Sequence, residues 1–135
     1  MFNKHSKPQS RIDSLIGLGT KVSGDIHFSG GLRVDGEVTG SVIADPSKAS
    51  TLVLSEHARV DGEICVTHLV VNGMVTGPVQ ASEYLELQSK AKVIGDVRYK
   101  TLEIQLGAIV EGKLVHLNEA SEKVVSLKVS GTESK

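Results

Sequence analysis

Five histidines, one cysteine and a recurring set of acids beside glycines are the residues of this 135-residue chain whose types could do chemistry. Histidine and cysteine together can hold zinc, a thiolate can attack a carbonyl, and acids spaced by glycines can cage calcium. The spacing supports none of these. His5, His27, His57, His68 and His116 form no pair at i, i+4, and no Cys-x-x-Cys flanks them. His57, Cys65 and His68 lie near one another in sequence, but an extended chain scatters them over faces and corners, so they read as surface histidines. Cys65 has no neighbour that would lower its pKa and reads as a small outward or corner residue. Asp25, Asp35, Glu37, Asp61, Glu63 and Asp96 recur because a turn recurs, and they do not match the calcium-binding nonapeptide repeat. There is no Gly-x-Ser-x-Gly elbow, phosphate loop or dinucleotide fingerprint. No catalytic, cofactor-binding or metal-ligating residue is therefore assigned, no cofactor is expected, and the chain is not expected to be an enzyme.

The elements that would position any site come from the composition and the repeat. Hydrophobic residues make up 39% and aromatics 3%, so the interior must be aliphatic. Fifteen basic residues against sixteen acidic leave no electrostatic footprint for nucleic acid over the body of the chain. A single cysteine excludes an intramolecular disulfide and favours a reducing cytoplasm. No apolar run reaches the ~18–20 residues that span a bilayer, and the start lacks the apolar stretch of a secretory signal. The chain is expected to stay inside the cell.

A unit Val-x-Gly-x-(Ile/Val/Leu) starts at Val22, Val34, Val38, Val60, Val71, Val75, Val93 and Val110. A longer frame, Leu-x-(Leu/Ile)-x-x-x-Ala-x-Val-x-Gly-x-(Ile/Val/Leu), runs Leu52 to Ile64, Leu85 to Val97 and Leu102 to Leu114. LRVDGEVTGSV (Leu32 to Val42) reappears as LVVNGMVTGPV (Leu69 to Val79). Leu85, Leu87, Ala91, Val93, Gly95 and Val97 share one parity, whereas Glu86, Gln88, Lys90, Lys92 and Asp96 share the other, which is a half-buried strand. Glu56 breaks the rule and is placed at a corner. One such coil cannot bury its apolar side alone, but stacked coils can, at ~4.8 Å per turn. The predicted fold is all-β: a single-domain right-handed parallel β-helix of about six coils over residues 14–117. Its structural core is expected to include Val22, Val34, Val60, Val71, Val93 and Val110, with Gly62, Gly95 and Gly112 at corners where the backbone passes close to the core or needs φ > 0.

Residues 1–13 read as a flexible arm and 118–135 as a flexible tail, whose VVSLKV patch either adds a strand or engages a partner. Asp45 to Ser50 reads as a protruding loop of turn formers. In the arm, Phe2 stands beside Lys4, His5, Lys7 and Arg11, which is either a membrane-surface element or a plain basic arm. A β-helix leaves unpaired backbone groups on its first and last coils, and the flanks, short arms without an amphipathic helix, offer no helical cover. Coils that stack end to end satisfy them and make a filament. Ile16 and Leu18 at one end, and Leu114 and Leu117 at the other, are the expected polymerisation contacts.

The arm MFNKHSK, the segment IDSLIGLGTKVSGDI, the block LRVDGEVTGSV and the reiterated Val-x-Gly-x-Val coils together resemble a bactofilin. The resemblance implies a right-handed β-helix that assembles without nucleotide into non-polar filaments. It implies a bacterial cytoskeletal scaffold that localises client proteins for cell shape or envelope processes, often at the cytoplasmic face of the inner membrane. Met1, Phe2, Lys4 and Lys7 then match a membrane-targeting peptide. Bactofilins often carry an aromatic at the C-terminal polymer contact, where this chain has Leu114, Val115 and Leu117. Two other readings compete with it: a soluble adaptor that does not polymerise, and a hexapeptide-repeat acyltransferase. The second requires regular six-residue spacing and a grooved catalytic histidine, neither of which is present.

Overall fold

The alternation of aliphatic and polar residues becomes strands of three to nine residues, sixteen among the described residues, every pair of them parallel. The computed structural model describes residues 11–117. Numbered in chain order, the strands form three faces. The first face holds β1 (Ser14–Ile16), β4 (Gly30–Val34), β7 (Ser50–Leu54), the C-terminal halves of β9 (Ile64–Val71) and β11 (Val79–Leu87), and β14 (Leu102–Ile104). The second holds β2 (Lys21–Ser23), β5 (Glu37–Thr39), β8 (Arg59–Asp61), β10 (Met74–Thr76), β12 (Lys92–Ile94) and β15 (Ile109–Glu111). The third holds β3 (Ile26–Phe28), β6 (Val42–Ala44), the N-terminal halves of β9 and β11, β13 (Val97–Tyr99) and β16 (Leu114–His116). The chain is thus a parallel β-solenoid of six turns.

Register aligns like residues along the axis. Val22, Val38, Val60, Val75, Val93 and Val110 form one column. Ile26, Val42, Ile64, Val79, Val97 and Leu114 form another. Ile16, Val34, Leu54, Val71, Leu87 and Ile104 form a third. Val34, Val60, Val71 and Val93 are wholly buried, while Val22 and Val110, in the first and last coils, are half-buried because each lacks a neighbour on one side. Glu56 sits exposed in a corner, with its carboxylate 3.0 Å from Lys90 Nζ.

The glycine motif resolves into two kinds of corner. Gly24, Gly40, Gly62, Gly77, Gly95 and Gly112 turn the chain from the second face to the third at φ between 129° and 157°. From Gly40 onward, a Cβ at each would land on the carbonyl of the glycine one coil earlier. The close approach is therefore between coils along the axis, not toward the core: Gly62 and Gly95 are half-buried and Gly112 is exposed. Gly36 and Gly73 make a shorter corner between the first and second faces. The insertion after β6 ends one residue sooner than its composition suggests. Ser50 is buried as the first residue of β7, held by Thr67, whose Oγ1 accepts from Ser50 N at 2.7 Å and donates to Ser50 O at 2.7 Å.

Inward and outward parity predict opposite outcomes for neighbouring substitutions. Val93→Asp places an unpaired carboxylate in a wholly buried column, which costs several kcal/mol against a total stability of roughly 5–15 kcal/mol. The variant is expected to lose strand circular dichroism, whereas Lys92→Asp, on the solvated side of β12, should keep the wild-type spectrum and melting curve.

Candidate functional site

The side chains capable of chemistry are spread over the faces and corners of the solenoid. His27, His57 and His116 are exposed, and His57 Nε2 lies 3.5 Å from Glu56. Among the described residues no three acids, histidines or cysteines come together as a metal cage. Ser50, Thr67 and His68 do meet, and the trio superficially resembles a nucleophile and its base. The hydrogen bonds exclude that role. The single Thr67 hydroxyl proton goes to Ser50 O, so the His68 Nδ1 that sits 3.0 Å from Thr67 Oγ1 must carry its own hydrogen and donate. A ring held that way has no basic nitrogen facing a hydroxyl.

Two of the acids beside glycines serve the backbone. Asp25 Oδ1 accepts from Ser41 N at 2.9 Å, and Asp96 Oδ1 from Lys113 N at 3.1 Å, each one coil further on. Asp13 does the same for Gly31 N at 2.9 Å, and this bond is the main reason its carboxyl lies below the ordinary range. Tyr84 is buried beside a β-bulge after Ala81 and donates to Glu103; burial foremost, then that carboxylate, pushes its phenol well above the ordinary value. Cys65 stands half-buried on β9 with Glu63 at 3.3 Å. Desolvation first, then the Glu63 carboxylate, pushes its thiol up to about 11, the reverse of an activated nucleophile.

What the structure equips is its two ends. Along the stack Leu85 N donates to Thr101 O, Gly95 N to Glu111 O and Val97 N to Lys113 O. Their equivalents one coil on, Leu102, Gly112 and Leu114, have no further described coil to donate to. The apolar side chains of this coil are uncovered as well: Ile104, Leu106, Ile109, Leu114 and Val115 are all exposed. The first coil exposes Leu15 and Leu18, with Ile12 just before it, while Ile16 is half-buried. Leu114 is thus exposed as its place in the last coil suggests, but Leu117 is half-buried, its N–H donating to Tyr99 O. Met1, Phe2, Lys4, Lys7 and the VVSLKV patch lie outside the described residues.

Leu106 is the residue that sequence reasoning missed. Period 2 from Leu102 and Ile104 places it inward, yet it is 95% exposed, because Gln105 to Ala108 is a four-residue turn closed by Ala108 N donating to Gln105 O at 3.2 Å. The signal was present: Glu56, Ser89 and Leu106 occupy the same position in the three long frames, and Glu56 had already marked a corner. Gly17 to Thr20 is the same turn in the first coil, and its Leu18 is 72% exposed. Both leucines precede a glycine of positive φ, Gly19 at 90° and Gly107 at 103°. Interior coils put Glu56 and Ser89 at that apex; the first and last put leucine.

A parallel β-helix whose exposed apolar side chains concentrate at the two ends of the described stack, where its backbone ladder also stops, defines the class: a solenoid suited to stacking on itself. The family model for bactofilins, polymer-forming cytoskeletal proteins, matches residues 14–115, and the chain belongs to that family. Bactofilin BacP of Myxococcus xanthus (strain DK1622) is 27% identical over 112 residues, covering 82% of this chain and 45% of BacP. The chain thus spans less than half the length of that relative. Bactofilin BacO of the same organism is 26% identical over 102 residues, covering 76% of this chain and 78% of BacO. The crystal structure of a point mutant of a bactofilin from Thermus thermophilus is similar at a TM-score of 0.62 and 28% identity, covering 68% of this chain and 98% of that one. The family is structural rather than enzymatic.

The raised thiol gives a test of the occupied-site reading. With a pKa of about 11, Cys65 is almost wholly protonated at pH 8, so iodoacetamide should alkylate it far more slowly in the native protein than in urea. The native rate should climb with pH until it passes about 10 to 11. A native rate at pH 8 equal to the unfolded one would refute the assignment.

Proposed function

We propose that this chain is a cytoskeletal scaffold that polymerises through its two coil ends, without nucleotide, and holds client proteins along the resulting filament. The observation that carries the reading is the pairing of open backbone donors with exposed apolar side chains on the terminal coil: Leu102, Gly112 and Leu114 supply the amides, and Ile104, Leu106 and Leu114 the apolar surface. Ile16 with Leu15 and Leu18 supplies the other end. End contacts of this kind extend without closing, and non-polar filaments follow when like ends meet. Leu117, half-buried against the preceding coil, contributes at the rim. No phosphate loop is present in the sequence, so assembly draws on burial and backbone pairing alone.

Purified protein should form filaments in plain buffer without ATP, GTP or metal, seen by negative-stain microscopy and by pelleting. Leu106→Arg should abolish pelleting and leave the strand spectrum intact, because the side chain points into water in the monomer but would bring like charges together across the contact. Filaments of wild-type length from this variant would remove Leu106 from the contact, and monodisperse wild-type particles at every salt and concentration would refute the scaffold.

The arm extends the proposal to the cytoplasmic face of the inner membrane. Phe2 supplies an apolar anchor and Met1 a second, while Lys4 and Lys7 are drawn to anionic headgroups. One copy binds weakly, and a filament multiplies the contacts. Deleting residues 1–7 should abolish co-sedimentation with vesicles containing phosphatidylglycerol and leave filaments unchanged, with Phe2→Ala intermediate. Equal partitioning of full-length and truncated protein would leave the arm without this role.

A further inference from the structure

Two coils make the short glycine corner, and both do so with one sequence pattern. Leu32-Arg33-Val34-Asp35-Gly36 and Leu69-Val70-Val71-Asn72-Gly73 run along the first face and turn at the glycine. Each short corner nests on a four-residue turn in the coil beneath. A Cβ at Gly36 would meet the carbonyls of Gly17 and Thr20, and one at Gly73 those of Ser55 and Ala58. The backbone pairing is also the same: Asp35 N donates to Ile16 O and Glu37 N to Thr20 O, while Asn72 N donates to Leu54 O and Met74 N to Ala58 O.

The sixth coil ends the described stack on a turn of that type, Gln105 to Ala108, with the carbonyls of Ile104 and Ala108 in the positions that accept elsewhere. The chain beyond Leu117 contains the pattern once more, as Leu127-Lys128-Val129-Ser130-Gly131. We propose that residues 127–131 dock on the first face of the sixth coil as a half-coil cap, hiding Ile104 and the turn that bears Leu106 from a second subunit. The proposal adds regulation to the end-stacking reading and rests on it for its consequence, though not for the docking itself.

Three observations select this segment over any other occupant. Docked in the register of the two earlier corners, Leu127 would lie over Leu102, Val129 over Ile104 and Gly131 over the turn, where any larger residue would strike the carbonyls as at Gly36 and Gly73. Charge agrees, because Lys128 in that register would fall over Glu103, which already stacks above Glu86, and a cation there would relieve two like charges. Length suffices: nine residues separate Leu117 from Leu127, against seven from Ala44 to Leu52 across the insertion after β6. Capping and end-to-end assembly then compete for the same backbone groups. A cap closed nine-tenths of the time would raise the apparent critical concentration about tenfold.

The test combines a contact readout with an assembly readout. Carbodiimide treatment of the full chain should give an amide between Glu103 and Lys128 within one chain, identified by mass spectrometry of the monomer band. Gly131→Val, which leaves both partners in place, should abolish the link. Absence of the link in the wild type, or its persistence at equal yield in Gly131→Val, overturns the cap. Pelleting should show a critical concentration about tenfold lower for residues 1–117, and likewise for Gly131→Val, than for the full chain. An unchanged or higher value for these variants overturns the competition. If no variant pellets at all, the scaffold reading fails, and the cross-link still decides the cap.

Discussion

In the column from Gly40 to Gly112, a methyl group on any glycine would land on the carbonyl of the glycine one coil before. That contact sets how closely coils approach. A residue with a side chain there would hold two coils apart, and the ladder bonds of all three faces would lengthen with them. The aliphatic columns depend on the same distance. Val38, Val60, Val75 and Val93 touch along the axis only when coils sit at the ~4.8 Å spacing of paired strands. With aromatics at 3%, most of the burial comes from like aliphatic residues stacked on like. The glycine column allows the valine column to exist.

The same geometry makes the ends unlike the middle. An interior coil has its amides satisfied above and below, and its inward side chains covered on both sides. The first and last coils have one of each missing, which is why Val22 and Val110 are only half-buried though they belong to the column that buries Val93 completely. Sequence differences follow this division. The turn apex carries Glu56 and Ser89 within the stack but Leu18 and Leu106 at its limits. Polar residues suit a corner bathed in water; leucines suit a corner that another surface covers.

Much of this was legible because a period of 2 is a strong signal when repeated six times. The inward set from Leu85 to Val97, the valine column and the corner at Glu56 could all be read from spacing. Other features were not, for definite reasons. The motif Val-x-Gly-x-Val joined two corners of different geometry, since Gly36 and Gly40 look alike in sequence while only Gly40 has positive φ. Leu106 was hidden by the very parity that located its neighbours, as a turn suspends alternation without leaving an obvious mark. Ser50 looked like loop because its composition is that of a turn, and its burial depends on Thr67, a partner seventeen residues away. Nothing local announces such a pair. The arm and the tail, where Phe2 and the VVSLKV patch lie, rest on sequence alone.

The scarcity of chemistry in this molecule has the same origin as its capacity to stack. In a coil every second residue points inward, and the interior of the described coils is only as wide as the aliphatic side chains that fill it, with no room there to desolvate a substrate. Polar residues are left on the outside, where register sets them in columns one coil apart. There they satisfy their neighbours: Asp25 binds Ser41, Asp96 binds Lys113, and Lys90 reaches across two coils to Glu56. A pocket walled by several side chains needs loops that fold over the faces, and the described chain has a single insertion, between β6 and β7. Surface that is both apolar and unpaired survives only where the repeat stops. On the end-stacking proposal function falls to these ends, and adding coils to the middle would lengthen the molecule without altering either one.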